Sequence, residues 1–257
     1  MIGVTNSRFF TPAALAAGLA ALTALLPAAP AAARPAVVEL FTSQGCSSCP
    51  PADALMNEVA ARRDVIALTY NITYWDYLGW RDTLGRDEHT ARQEAYAQHF
   101  RDRKYTPQLV VDGASHMPGS RVRASRDAID DRVSRVSGRP ELIADVTNDG
   151  ITLRAGAVPG SETDDVSAIW LVQFDSAHEV EITRGENAGE TIIYSNVVRD
   201  VTRLADWDMT QPLSLDVAKA MLMEGAHDGC AIIVQRAGQY GVGEVITATR
   251  LDMSLIN

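Results

Sequence analysis

The chain has 257 residues, 46% of them apolar, with 33 acidic and 23 basic side chains and a formal charge of −10. That is enough apolar material for a sizeable core in one large domain or two ordinary ones, and no long low-complexity tract follows residue 35. The acidity argues against a nucleic-acid binder and against adsorption to anionic lipid, and three cysteines are too few for a disulfide-stapled scaffold.

Residues 1–33 have the layout of an export signal. Arg8 lies in a short n-region, Ala13 to Leu26 are 14 uncharged apolar positions, and Ala31-Ala32-Ala33 offers a cleavage site after Ala33. The apolar run is too short for a bilayer, which takes about 20 residues. The expectation is therefore a periplasmic or secreted protein with no membrane span after cleavage, in a compartment where disulfides persist. An uncleaved N-terminal anchor is the alternative. Beyond the signal, residues 34–139 hold 15 basic and 14 acidic groups, a balance of +1. Residues 140–257 hold 7 and 19, a balance of −12, which suggests a domain boundary near Gly138-Arg139-Pro140.

The first region alternates strands and helices. Ala36–Thr42 reads as a buried strand, followed by a turn at Ser43-Gln44-Gly45 and a helix from near Cys46 that carries Leu55, Met56 and Val59 on one face. Val65–Tyr70 is a second strand, Asp87–Lys104 a helix with Tyr96 and Phe100 as an i,i+4 pair, and Gln108–Asp112 a third strand closed by Gly113. Ser120 caps a helix bearing Val122, Ile129, Val133 and Val136, ended by Gly138. Strands separated by helices predict an α/β sheet. After Pro140, Leu142–Val146 and Ile151–Ala155 flank a hairpin signal at Asn148-Asp149-Gly150. Ala168–Phe174, Val180–Thr183, Thr191–Val201, Ala231–Arg236 and Glu244–Arg250 are further strands, and only Asp216–Glu224 reads as helical. This spacing predicts an antiparallel sandwich or barrel.

The chemistry concentrates at Cys46-Ser47-Ser48-Cys49-Pro50. Two cysteines three apart at a helix start are close enough to bridge reversibly, and the positive end of the helix dipole favours a thiolate at the first. In that reading Cys46 attacks a disulfide and Cys49 resolves the mixed intermediate. A zinc site would need a second ligand pair, and none is visible, because Cys230 is isolated and the five His are scattered. Tyr105-Thr106-Pro107-Gln108 precedes the third strand and resembles the element of thioredoxin-like folds, glutaredoxins above all, in which a cis-proline faces the CxxC. That resemblance implies that Thr106 and Pro107 line the substrate, with Thr106 offering backbone hydrogen bonds to a bound peptide. An ordinary strand-opening proline is the other reading of Pro107.

Residues 36–138 thus resemble a thioredoxin-like domain. The chain as a whole resembles a family of bacterial secreted proteins known only as a domain of unknown function with a thioredoxin-like fold. The matching segments are ELFTSQGCSSCPPAD (39–53), TYWDYLGWRD (73–82), YTPQLVVDG (105–113) and RGENAGETIIYSNVVR (184–199). What the resemblance implies is a thioredoxin-like α/β domain over 34–139, then a mainly antiparallel, acidic β domain over 140–257, with export and a redox site at the cysteines. It supplies no substrate.

Glu39 resembles the buried acid of thioredoxin, which lies one residue closer to its CxxC. It is either the proton acceptor of Cys49 or, by that offset, turned to the other face of the sheet. Tyr74, Trp75, Tyr77 and Trp80 cluster within seven residues and form either an apolar substrate floor or core packing. Ser47 and Ser48, between the cysteines, face whatever binds there. His116 follows the third strand and is a ligand candidate or a plain structural residue. Cys230 reads as a small buried hydrophobe or an intermolecular thiol. Arg184, Glu186, Asn187 and Asn196 either bind something or close a loop.

There is neither a GxGxxG nor a Walker loop, so no cofactor is expected. The expected partners are protein or peptide thiols and disulfides and a redox partner. A scaffold with a static Cys46–Cys49 bridge and a Cu(I)-handling protein are the alternative functions.

Overall fold

In the computed structural model of the chain, Met1, Gly3 and residues 34–135 and 138–256 are described. The expected export signal therefore lies outside the described residues apart from Met1 and Gly3, as does Val136. Among the described residues no helix is long and apolar enough to cross a membrane.

The apolar run Ala36–Thr42 forms β1, buried along its whole length, and the next such run, Val65–Asn71, forms β2 parallel to it. Between them lies α1, Pro50–Ala60, which buries Leu55, Met56 and Val59 against Val38 and Leu40. Helix α2, Asp87–Phe100, covers the opposite face, where Tyr96 packs with Val37, Phe41 and Tyr70. The period-2 geometry of β1 sends its odd and even residues to these two separate clusters. Strand β3, Gln108–Val111, runs antiparallel to β1 and turns back into β4, Ser115–Pro118. Asp112 and Gly113 take positive φ in that turn (53° and 62°), and a Cβ at Gly113 would run into the Gly243 carbonyl. Helix α3, Val122–Arg135, returns over the α1 side, burying Ile129.

Beyond Pro140 come β5 (Leu142–Thr147), β6 (Gly150–Ala155), β7 (Ser167–Glu181), β8 (Thr191–Trp207), β9 (Leu213–Ala218), the short α4 (Lys219–Leu222), β10 (Gly229–Arg236) and β11 (Val245–Leu251). The hairpin signal at 148–150 joins β5 to β6, and with β9 they form a three-stranded sheet. This small sheet covers Ile169, Leu171, Ile232 and Val234 of β7 and β10.

The expected fold class is overturned. A thioredoxin-like α/β domain followed by a separate antiparallel β domain does not form. Strands of both halves build one mixed eight-stranded sheet, in the order β11-β10-β7-β8-β2-β1-β3-β4. Ala32–Asn257 is one compact unit, and the charge break near 138–140 falls inside it. The physical reason is the edge of β2, which an independent α/β domain would leave unpaired. Here β8 fills it: Thr69 pairs with Val197, the Thr69 hydroxyl donates to the Ser195 carbonyl (2.7 Å), and Asn196 Nδ2 donates to the Ala67 carbonyl (2.9 Å). Asn196 takes a left-handed φ of 49° to do so. Asn57 of α1 adds two bonds, accepting from the Ser195 hydroxyl (2.7 Å) and donating to the Ile193 carbonyl (3.0 Å).

Two smaller expectations also change. The segment expected to be helical at 216–224 is β9 followed by the four-residue α4. Ala168–Phe174 and Val180–Thr183 merge into β7, because Asp175 to His178 lie in the part of the β7–β8 hairpin that runs beyond the neighbouring strand β10. That protruding hairpin end packs Ile182, Ile192 and Tyr194 against Trp80 and Leu84, which carries C-terminal residues to the cysteine loop.

Candidate functional site at the Cys46–Cys49 disulfide

Cys46 and Cys49 form a disulfide with their Cα atoms 5.5 Å apart. Their loop is set by four-residue turns: Cys46 N–H donates to the Ser43 carbonyl and Cys49 N–H to the Cys46 carbonyl, so that Cys49 becomes the cap of α1. Pro50 and Pro51 occupy the first two helical positions. They also remove two main-chain N–H groups, leaving the helix start a weaker donor to sulfur than a helix without them. Cys46 retains 4% exposure and Cys49 none, so an incoming sulfur meets Cys46.

A hydroxyl supplies the missing donor. Pro107 follows a cis peptide bond and is buried, and the Thr106 before it turns its Oγ1 toward the cysteines. That hydroxyl donates to Cys46 Sγ (3.2 Å) while accepting from Trp75 Nε1 (2.7 Å). Trp75 spends its one N–H on Thr106, which directs the threonine proton onto the sulfur. Ser48 Oγ lies 3.4 Å from Cys46 Sγ and 3.4 Å from the Thr106 carbonyl. Ser47 and Ser48 are exposed. Tyr77, 75% exposed and stacked on Trp75, gives the site an aromatic rim.

The loop is clamped from two distant segments. Gln44 is the hub: its N–H donates to Asp82 Oδ2 (2.8 Å), and its Oε1 accepts from Trp80 Nε1 (2.8 Å) and Thr83 N–H (3.1 Å). Trp80 is thus a strut behind the loop. Asn187, from the β7–β8 hairpin, donates to the carbonyls of Gln44 (2.9 Å) and Cys46 (3.0 Å). Glu186 accepts from Ser47 N–H (3.3 Å), whereas Arg184 is exposed and Asn196 serves the β2–β8 junction.

Glu39 is a correction. On β1 it faces the α2 side with Val37 and Phe41, while its neighbours Val38 and Leu40 face α1. Its carboxylate accepts from Arg92 Nε (2.7 Å) and from the Tyr96 hydroxyl. The one-residue offset turned it across the sheet, and it takes no proton from Cys49. His116, on β4, is held by the Tyr105 hydroxyl (2.8 Å) and stacks on Phe100. Cys230 is buried on β10 among apolar side chains, where desolvation pushes its thiol up to about 12.

The buried acids beside the loop were not singled out from the sequence. Asp53, four residues after Cys49, is buried and accepts from the Thr42 hydroxyl (2.7 Å), and its Oδ2 has no partner among the described residues. Desolvation, with added repulsion from Asp82, pushes its carboxyl up to about 8. Asp82 is raised as well, chiefly by burial. Asn71 Oδ1 and the Tyr194 hydroxyl are buried without partners among the described residues, and Tyr194 is raised by burial and by the nearby Asp53 and Asp82. An acid in the first helical turn ordinarily reads as a surface complement to the helix dipole, so the sequence carries no sign that Asp53 is buried.

Two solved structures resemble the chain. A crystal structure of a protein from Agrobacterium tumefaciens shares 30% identity, with a TM-score of 0.71, covering 84% of this chain and 93% of that one. The structure titled HBP35 of Porphyromonas gingivalis shares 12% identity with a TM-score of 0.55, covering 85% and 75%, a likeness of fold alone. No curated protein matches. Residues 37–235 match the family model described as "Protein of unknown function (DUF1223)", a span that includes both cysteines, Thr106-Pro107 and the Asn187 clamp, and the chain belongs to that family.

Proposed function

We propose that the protein is a thiol–disulfide oxidoreductase acting on protein or peptide thiols, with Cys46 as nucleophile and Cys49 as resolving cysteine. The observation that carries this reading is the bond from the Thr106 hydroxyl to Cys46 Sγ, relayed from Trp75. A donor aimed at a sulfur stabilises that sulfur as a thiolate, the reactive form and the leaving group of exchange.

From the oxidised state, a substrate thiolate attacks Cys46 Sγ. The Cys46–Cys49 bond breaks, and Cys49 leaves as a thiolate and takes a proton. A second substrate thiolate attacks the substrate sulfur of the mixed disulfide, and Cys46 leaves as the thiolate held by Thr106. The substrate dithiol has lost two electrons and the cysteine pair has gained them. The reverse sequence reduces a substrate disulfide, and a thiol or disulfide of a partner protein resets the pair. The peptide runs along Thr106-Pro107, where the Thr106 N–H makes no backbone hydrogen bond among the described residues, and Tyr77 receives an apolar side chain. Export on the signal at residues 1–33 is part of this reading, and recovery from a periplasmic extract with Arg34 at the N-terminus is its check.

Burial of both cysteines supports one other reading, a static bridge. A reduction potential measured against glutathione or dithiothreitol separates the two. A value between about −270 and −120 mV supports exchange, and one below about −300 mV marks a structural bridge. Cys49→Ser should accumulate mixed disulfides through Cys46, and Cys46→Ser should abolish turnover of a disulfide peptide. Unchanged turnover in both variants would end the proposal.

A further inference from the structure

A groove of about 990 Å³ is lined by Tyr105, Thr106 and His116–Pro118 of β4, and it meets the disulfide through Thr106, whose hydroxyl donates to Cys46 Sγ. Its charge runs against that of the molecule. Arg101, Arg103 and Arg121 line it, all exposed, and among the described residues none of the three is in an ion pair. One carboxylate, Asp102, shares the groove, and it lies 3.8 Å from His116 Nε2. The neighbouring cation Lys104 is already occupied by Glu94 (3.0 Å). Across the disulfide a carboxylate, Glu186, reaches the Ser47 N–H.

Three uncommitted guanidinium groups on a chain of net charge −10 are a local field, and a groove focuses it on whatever enters. Guanidinium forks match carboxylates in pairs. Resting on the exchange reading above, we propose that the substrate of this site is an acidic peptide segment. Its Asp or Glu residues lie in the groove of Arg101, Arg103 and Arg121, on the Thr106 side of the reacting cysteine, and its Ser47 side carries no acid. The groove sets which partner exchanges, while Thr106 and the cysteines perform the exchange.

The test uses three short peptides of one length, each closed by an internal disulfide and flanked on one side by Glu, by Ser or by Lys. With glutathione supplied as the reductant that returns the cysteine pair to its dithiol, turnover is followed by release of fluorescence quenching, corrected for the rate without protein. At an ionic strength near 10 mM the purified protein should show kcat/KM for the Glu peptide about tenfold or more above that for the Lys peptide, and the ratio should shrink toward one at 0.5 M salt. The double variant Arg103→Glu with Arg121→Glu should invert the order. The salt dependence of the unaltered protein gives the same answer if that variant does not fold. Equal kcat/KM for all three peptides at low salt, or an order unchanged in the double variant, would overturn the inference and leave the exchange reading standing. No turnover of any peptide, the Ser one included, would overturn both.

Discussion

Glu39 and Asp112 are buried against guanidinium groups, while Asp53 and Asp82 are buried with none among the described residues. The first pair are fixtures of the sheet. Asp112 accepts from Val37 N–H (2.6 Å), Arg132 Nε (2.6 Å) and Arg139 Nη2 (2.6 Å), and its own carbonyl accepts from Val245 N–H (2.7 Å). It therefore ties β1, α3, the 138–140 segment and β11 at one point. The second pair have neutral partners only, repel each other, and lie among polar atoms left unpaired in the region that carries the cysteine loop. Acids compensated by guanidinium groups in one region and acids without them in the other distinguish the centre of the sheet from the surroundings of the cysteine loop.

Removing a compensated acid should have the largest effect. Asp112→Ala leaves the Arg139 guanidinium, 10% exposed, without its carboxylate, leaves Arg132, 23% exposed, with Glu244 alone, and strips Val37 N–H of its partner. A loss of about 3–5 kcal/mol in urea unfolding is expected. A loss below about 1 kcal/mol would show that water replaces the network and that the contrast between the two regions is not energetic.

The uncompensated acid should behave in the opposite sense, and with pH. The carboxyl of Asp53 ionises near pH 4 in the unfolded chain and near 8 in the folded one. Between those values the folded state holds a proton that the unfolded state has lost. Stability is therefore full below about pH 4, falls as pH rises toward 8, and is level above it. The slope is about 1.4 kcal/mol per pH unit at most. Asp53→Asn removes this dependence, so the variant should be the more stable protein at pH 8 and above and should match the parent near pH 4. Asp82, raised by the same burial, adds in the same direction and survives the substitution. Denaturation curves for the two proteins that run parallel from pH 4 to 8 would remove Asp53 from the account.

The paired region was the more legible of the two. The apolar runs of β1, β2 and β3, the Pro-led helix α1 and the Asn148-Asp149-Gly150 hairpin are local patterns, and each forms where its residues predict it. The joining of the two halves is not local. It rests on Asn196, Ser195 and Thr69, polar residues more than 120 positions apart whose match no periodicity announces. Strand β9 was missed because the apolar alternation of Leu213, Leu215 and Val217 is short and runs straight into a helical turn. At the site, Cys46, Cys49 and Thr106-Pro107 could be read from the sequence because their chemistry lies in contiguous motifs. Asn187, Gln44 and Asp53 could not, because their roles depend on a loop clamped from 141 and 143 residues away and on a helix face that burial decides.

The smallest expected effect lies closest to the chemistry and separates a reactive sulfur from a buried one. Thr106→Val keeps the shape and removes the hydroxyl, so Cys46 Sγ loses its donor and Trp75 Nε1 its acceptor. A hydrogen bond of this kind contributes about 1 kcal/mol. Because it favours the ionised sulfur over the disulfide, its loss should raise the Cys46 thiol pKa by about 0.7 of a unit in the reduced protein. The bridge should also become harder to reduce, by about 20 mV toward negative potential. Global stability should change far less than in Asp112→Ala, since the valine methyl fills the space of the hydroxyl. The pH profile of Cys46 alkylation reads the first quantity and glutathione equilibration the second. Both should move together, because one stabilised thiolate underlies them. A potential that stays fixed while the pKa shifts would mean that the disulfide form draws equal stabilisation from Thr106, and the hydroxyl would then orient the sulfur without activating it.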